Sequence, residues 1–166
     1  MTLPADSHVH SEWSWDAGHG SMDRTCARAL ELGLPRTSSA ATCATSQPWS
    51  RPTTPSRSSS TSTTPVRSWD EAADGPFDPA AFEVEFRQSL EAVAEAGKVL
   101  EINTVLPLHP TVVRWWHDVG GGAVSFGSDA HEPVSLARRC RDARHLAEAC
   151  GFRPGRDPHD LWSRID

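Results

Sequence analysis

His8-Val9-His10 sets two imidazoles two residues apart, and Asp129-Ala130-His131 sets a carboxylate and an imidazole at the same spacing. In an extended strand, residues two apart project from one face, so each pair delivers both donors to one side. Neutral imidazole nitrogens and carboxylate oxygens suit a Zn, Mn or Fe centre. An H-x-H alone is a weak signal. A second pair far along the chain, straight after an apolar run, Gly127 and Ser128, makes chance a poor account of both. Asp16 sits in a loop with Trp13 and Trp15, where it can close back as a carboxylate ligand or serve as an ordinary turn aspartate.

The elements that must position these residues alternate between strand and helix. Asp6-Ser7-His8-Val9-His10 is a short strand; Ser21 caps a helix in which Met22, Cys26, Ala29 and Leu30 recur on one face, and Gly33 closes it. Asp78-Pro79 opens a helix with Phe82, Phe86, Leu90 and Val93 on one face and Gly97 at its end. Lys98-Val99-Leu100-Glu101-Ile102-Asn103 is a strand. His109-Pro110-Thr111 opens another helix, stopped by the Gly120-Gly121-Gly122 run, and Ala123-Val124-Ser125-Phe126 is a strand. A last long helix is expected from about Pro133 to Cys150, with a short helix at Asp157-Pro158. Strands alternating with helices imply parallel pairing and an α/β fold, in which polar chemistry collects beyond the C-terminal strand ends. The first and last strands become neighbours if such a sheet closes into a barrel. His109 and His117 read as surface or packing histidines, and His19, His145 and His159 carry no pattern.

Between these parts the composition breaks. From Arg36 to Arg67 there is no Asp, Glu, Gly, Leu or Ile, and Ser and Thr fill more than half of the positions. That stretch cannot bury enough apolar area to offset its ordering entropy. One expectation is a disordered Ser/Thr/Pro linker. The other is an out-of-frame translation: Thr and Ser codons are what a one-base shift makes of Asp, Leu and Val codons in a GC-rich gene, and the segment is basic in an otherwise acidic chain. Three regions result: 1–35, a βα unit; 36–68, the Ser/Thr/Pro/Arg-rich segment; and 69–166, an αβαβα part.

The whole chain has 166 residues and a formal net charge of −6, with 37% hydrophobic residues. The acidity argues against a nucleic-acid partner. No apolar run approaches the roughly 20 residues that span a bilayer, so no membrane partner is expected. The N-terminus lacks a charged region followed by an apolar stretch, which predicts no secretory signal. Cys26, Cys43, Cys140 and Cys150 form no C-x-x-C pair, and three of them fall in helical apolar patterns. They are expected as reduced core thiols of a cytoplasmic protein.

His8-Val9-His10 with Asp16, and Gly127-Ser128-Asp129-Ala130-His131, resemble the opening and closing metal motifs of the PHP (polymerase and histidinol phosphatase) superfamily. Leu100-Glu101-Ile102-Asn103-Thr104 is similar to a stretch of its histidinol-phosphatase branch. The resemblance covers about two thirds of the chain, at both ends. It implies a distorted (β/α)7 barrel and two or three divalent metal ions (Zn, Mn or Fe). It implies hydrolysis of a small-molecule phosphate ester, such as histidinol phosphate in histidine biosynthesis. By that resemblance His8, His10, Asp16, Asp129 and His131 are the metal ligands. Glu101 and Asn103 stand behind them or against the substrate, unless they only cap a strand end, and no catalytic residue is needed beyond the ligands. The family also has a T-E-H type motif after its second strand and further ligands in its middle strands. Here Arg36-Thr37-Ser38-Ser39 stands in that place, and no histidine occurs between positions 35 and 97. Barrels of this general kind need about 250 residues. The expectation is thus a partial barrel with its middle strands missing and weak or absent turnover.

Two other readings compete. An amidohydrolase-type metal hydrolase also opens with H-x-H and ends with an aspartate, although the Asp129-x-His131 pair and Ser128 favour the PHP type. A non-catalytic metal-binding remnant with a disordered linker would bind metal and turn over nothing.

Overall fold

A computed structural model describes residues 3–35, 58–59, 69–158 and 160–165. The expected disordered or out-of-frame segment lies outside the described residues apart from Ser58 and Ser59, as do Cys43 and His159. Among the described residues the chain is mixed α/β, with a small open sheet of order β1-β2-β3-β5-β4. Its strands are β1 (Ser58–Ser59), β2 (Val99–Asn103), β3 (Ala123–Gly127), β4 (Phe152–Arg153) and β5 (Trp162–Arg164).

The centre of the sheet follows from sequence. Val99, Leu100 and Ile102 form an apolar run buried on both faces, as parallel strands require. β2 and β3 pair in parallel from Leu100↔Val124 to Asn103↔Gly127. Parallel neighbours need a crossover, which helix α4 (Pro110–Asp118) supplies. Its start is fixed by His109, whose Nδ1 accepts from the Thr111 amide at 3.2 Å, and by Pro110 in the first turn. Helix α3 (Glu83–Glu95), entered through a 3-10 turn at Pro79–Phe82, packs beside α4. A four-residue helix, α2 (Glu71–Asp74), precedes it. The core gathers Leu90, Leu100, Ile102, Val113, Trp116, Val124, Phe126, Phe152 and Trp162. Trp116 is fully buried, and its indole Nε1 donates to the Ala123 carbonyl at 3.0 Å. β4 and β5, which carry no periodic signal, close this core as an antiparallel pair beside β3.

Five expectations are corrected. Residues 6–10 do not form a strand ladder. They run parallel to the tip of β3 through Ser7 N to Phe126 O (2.7 Å), Asp129 N to His8 O (2.9 Å) and His10 N to Ala130 O (2.8 Å).

The helix expected from Pro133 is split into a 3-10 turn at Pro133–Ser135 and helix α5 (Cys140–Ala149). Ala137 and Arg139 lie between them at φ 56° and 58°. The Ala137 amide and the Arg138 carbonyl there bond to Asp6 and Thr104 instead of to a helix. A turn replaces the last short helix, because the Asp160 carboxylate takes the Asp157 amide at 3.0 Å.

In helix α1 (Met22–Leu32), capped by Ser21 and by Gly33 at φ 63°, Thr25 and Ala29 are the buried residues while Leu30 is 82% exposed. Cys26 is disulfide-bonded rather than reduced. Cys140 and Cys150 are free and buried, as expected. No helix among the described residues is long and apolar enough to cross a membrane.

Candidate metal centre

The pairing of residues 6–10 with the tip of β3 carries His8 and His10 alongside Asp129 and His131 without any closure of the sheet. Gly127, the last residue of β3, makes the approach possible. A Cβ there would stand 2.6 Å from the His8 Cβ and 2.8 Å from Glu101 Oε1. Beyond it Asp129 adopts φ 53°, a left-handed conformation that aspartate tolerates better than most residues. That turn ends the simple alternation on which the same-face expectation rested, yet both side chains still reach the cluster.

The five expected ligands converge. The His10 ring is stacked on His131 with centroids 4.1 Å apart, and His8 lies 5.4 Å from His10. His10 Nε2 stands 3.0 Å from Asp129 Oδ1, and His8 Nε2 3.6 Å from the same oxygen. His10 Nδ1 stands 3.0 Å from Asp16 Oδ1, and His131 Nε2 3.1 Å from Asp16 Oδ2. Two donor groups result, His8/His10/Asp129 and His10/Asp16/His131, each with its donor atoms within 4.8 Å of one another. Tetrahedral ligands at about 2.1 Å from a Zn ion are themselves roughly 3.4 Å apart, so the spacing fits. The mixture of imidazole and carboxylate fits a borderline divalent cation. His10 belongs to both groups, but a neutral imidazole has one acceptor nitrogen and joins one of them at a time. The described residues could therefore supply one three-donor site and two further donors, not two complete sites.

Behind the cluster the two expected supporting residues behave differently. Glu101 is buried in β2, and its Oε1 lies 2.9 Å from His8 Nδ1, leaving Nε2 directed at Asp129. That is the carboxylate–histidine arrangement which fixes a ligand's tautomer. Asn103 does not touch the histidines. Its Oδ1 accepts from the Val105 and Leu106 amides, both at 2.9 Å, and so caps the end of β2.

Carboxylates and imidazoles shift one another's proton affinity. His8 is raised above its ordinary value, first by its hydrogen bond to Glu101. In His131 burial pulls the value down, but the Asp129 carbonyl at 2.7 Å and Asp16 outweigh it, and the net shift is upward. Asp16 is lowered: desolvation opposes, and hydrogen bonds from His131 and His10 prevail.

Asp6 was not among the expected site residues. It is fully buried, its Oδ1 accepts from the Ser128 amide at 2.9 Å, and its Oδ2 accepts from the Ala137 amide at 3.1 Å. Burial pushes its carboxyl up, and these bonds oppose the rise. The alternation that pairs His8 with His10 extends back to Asp6, and that was the available signal. A cleft of about 350 Å³ opens beside the cluster, lined by Asp16, His19, Ser128, Asp129, His131 and Arg138 among others. His19 and Arg138 carried no pattern that would have placed them there.

Comparison with protein-family models, curated proteins and solved structures finds no match to this chain.

Proposed function

We propose that this chain carries the metal centre of a PHP-type phosphoesterase and that its chemistry is hydrolysis of a small phosphomonoester, histidinol phosphate being the first candidate. The observation that carries the proposal is the convergence of His8, His10, Asp16, Asp129 and His131, three from one end of the chain and two from far along it, on one cluster. His8, His10 and Asp129 would hold one cation, with Asp16 and His131 offering further donors. When bound, divalent ions polarise a phosphoryl oxygen and acidify a water towards neutrality.

The protein's own part is positional. Glu101 fixes the His8 tautomer, and the two aspartates set the charge. The cleft beside them admits a small ester while Arg138 and His19 line its wall. A partial (β/α)7 barrel, two or three metal ions in an intact relative, and a cytoplasmic location belong to the same proposal. The ligand count gives it a quantity: close to one tightly held Mn or Zn per chain.

Metal analysis of the purified chain and phosphate release from p-nitrophenyl phosphate and histidinol phosphate test it. His10→Ala and Asp129→Ala should each lower bound metal by more than the about 10–100-fold that loss of a supporting group costs. Unchanged stoichiometry in both variants would sink the proposal. Metal binding with hydrolysis of amides or lactones, and none of phosphate esters, would favour an amidohydrolase-type centre. Binding with no turnover of any of these would leave a non-catalytic metal protein.

A further inference from the structure

We propose that Asp6 is the positioning residue of the metal centre: its buried carboxylate locks the segment carrying His8 and His10 to the turn carrying Asp129 and His131. This rests on the metal-centre proposal and adds a role that no ligand performs.

Asp6 has no exposed surface, so both of its oxygens need partners. Besides the nearby His8 amide, each oxygen accepts from a backbone amide far along the chain, Oδ1 from Ser128 and Oδ2 from Ala137. Each lands at a strained place. Ser128 immediately precedes Asp129 at φ 53°, and Ala137 is itself at φ 56°. Non-glycine residues persist in that conformation only where the surroundings over-determine it. One carboxylate therefore holds two left-handed turns. The first sets the Asp129 carboxylate 3.0 Å from His10 Nε2 and 3.6 Å from His8 Nε2. The second leads into Arg138 on the cleft wall, whose carbonyl is held from the other side by the Thr104 hydroxyl. The Asp129 amide bonds back to the His8 carbonyl at 2.9 Å, so the lock and the ligands share one stretch of backbone.

Asp6→Asn keeps the volume and turns one acceptor into a donor facing an amide. Titration with Co²⁺, read by calorimetry and by the visible d–d absorption of the bound ion, measures the result. The expected outcome is about tenfold weaker Co²⁺ binding, the scale of one charge-assisted hydrogen bond, with an altered absorption envelope. Val113→Ala, an ordinary core cavity, serves as the control. It should lower the unfolding midpoint while leaving Co²⁺ affinity and spectrum as in the unsubstituted chain.

Unchanged affinity and spectrum in Asp6→Asn overturn the lock and leave the metal centre standing. Absence of Co²⁺ binding to the unsubstituted chain overturns both. If Asp6→Asn fails to fold, amide hydrogen exchange in the unsubstituted chain decides. Coupling is reciprocal, so Co²⁺ should slow exchange at the Ser128 and Ala137 amides, and unaltered exchange there counts against the lock.

Discussion

The N-terminal segment and the β2–β3 half of this chain are held by different forces. The second owns the apolar cluster, whose members run from Leu90 to Trp162 and include no residue of the segment 3–35. The first contributes three of the five converging side chains, His8, His10 and Asp16. It is fastened by backbone bonds to the tip of β3, by Asp6, and by imidazole–carboxylate contacts. Oil holds one region and polar bonds the other. Stability and site chemistry should therefore come apart under substitution.

Trp116→Ala should show the largest effect. Emptying a fully buried indole from the core costs about 3–5 kcal/mol, and urea unfolding followed by circular dichroism should register it. His10→Ala should do the opposite, removing metal while leaving the unfolding midpoint of the β2–β3 half within about 0.5 kcal/mol. If His10→Ala unfolds the core as well, the two regions are not separable. Glu101→Gln comes next. It weakens the partner that orients His8, and about a tenfold loss of Zn affinity is expected by calorimetry.

The pH dependence sharpens the contrast because its sign depends on the cation. His8 and His131 have raised values in the folded chain, above the ordinary 6.5. In the metal-free protein their contribution to docking the N-terminal segment is fully present below 6.5 and is lost as pH rises through the raised values. Asp16 adds a contribution present above its ordinary 3.8 and lost only as pH falls through its lowered value. Metal needs neutral imidazole, so Zn binding should weaken as pH falls, starting above 6.5. Amide exchange in the segment with and without Zn, at pH 6 and 8, should show opposite trends. Leu30→Ser should have the smallest effect, within about 0.5 kcal/mol, since Leu30 is already exposed.

Much of this was legible in the residues. Strands β2 and β3 and helices α3 and α4 announce themselves because apolar periodicity, Pro110 and the glycine stops agree with one another. The side chains that converge were legible as two pairs at strand spacing. Their meeting was expected through barrel closure, whereas the structure achieves it by laying residues 6–10 directly along β3. The helix break at Ala137 was not legible, because its cause is a carboxylate 131 positions earlier. The exposed Leu30 was misread because periodicity marks a face without saying whether anything covers it. Glu101 and Asn103 occupy alternate positions of one strand and looked equivalent. Gly127 leaves room for Glu101 to reach His8, while Asn103 is taken up by the Val105 and Leu106 amides.

The bond from Asp6 to Ser128 spans 122 positions, which makes it a clock as well as a fastening. At a synthesis rate of about 5–20 residues per second, the first motif waits roughly 6–24 seconds before the second is made. During that interval His8 and His10 have no Asp129 to face. On the proposed function, metal capture would accordingly be a late event in the life of the nascent chain. Anything that binds the exposed His-x-His early, a free cation or a competing protein, acts before the fold can shelter it.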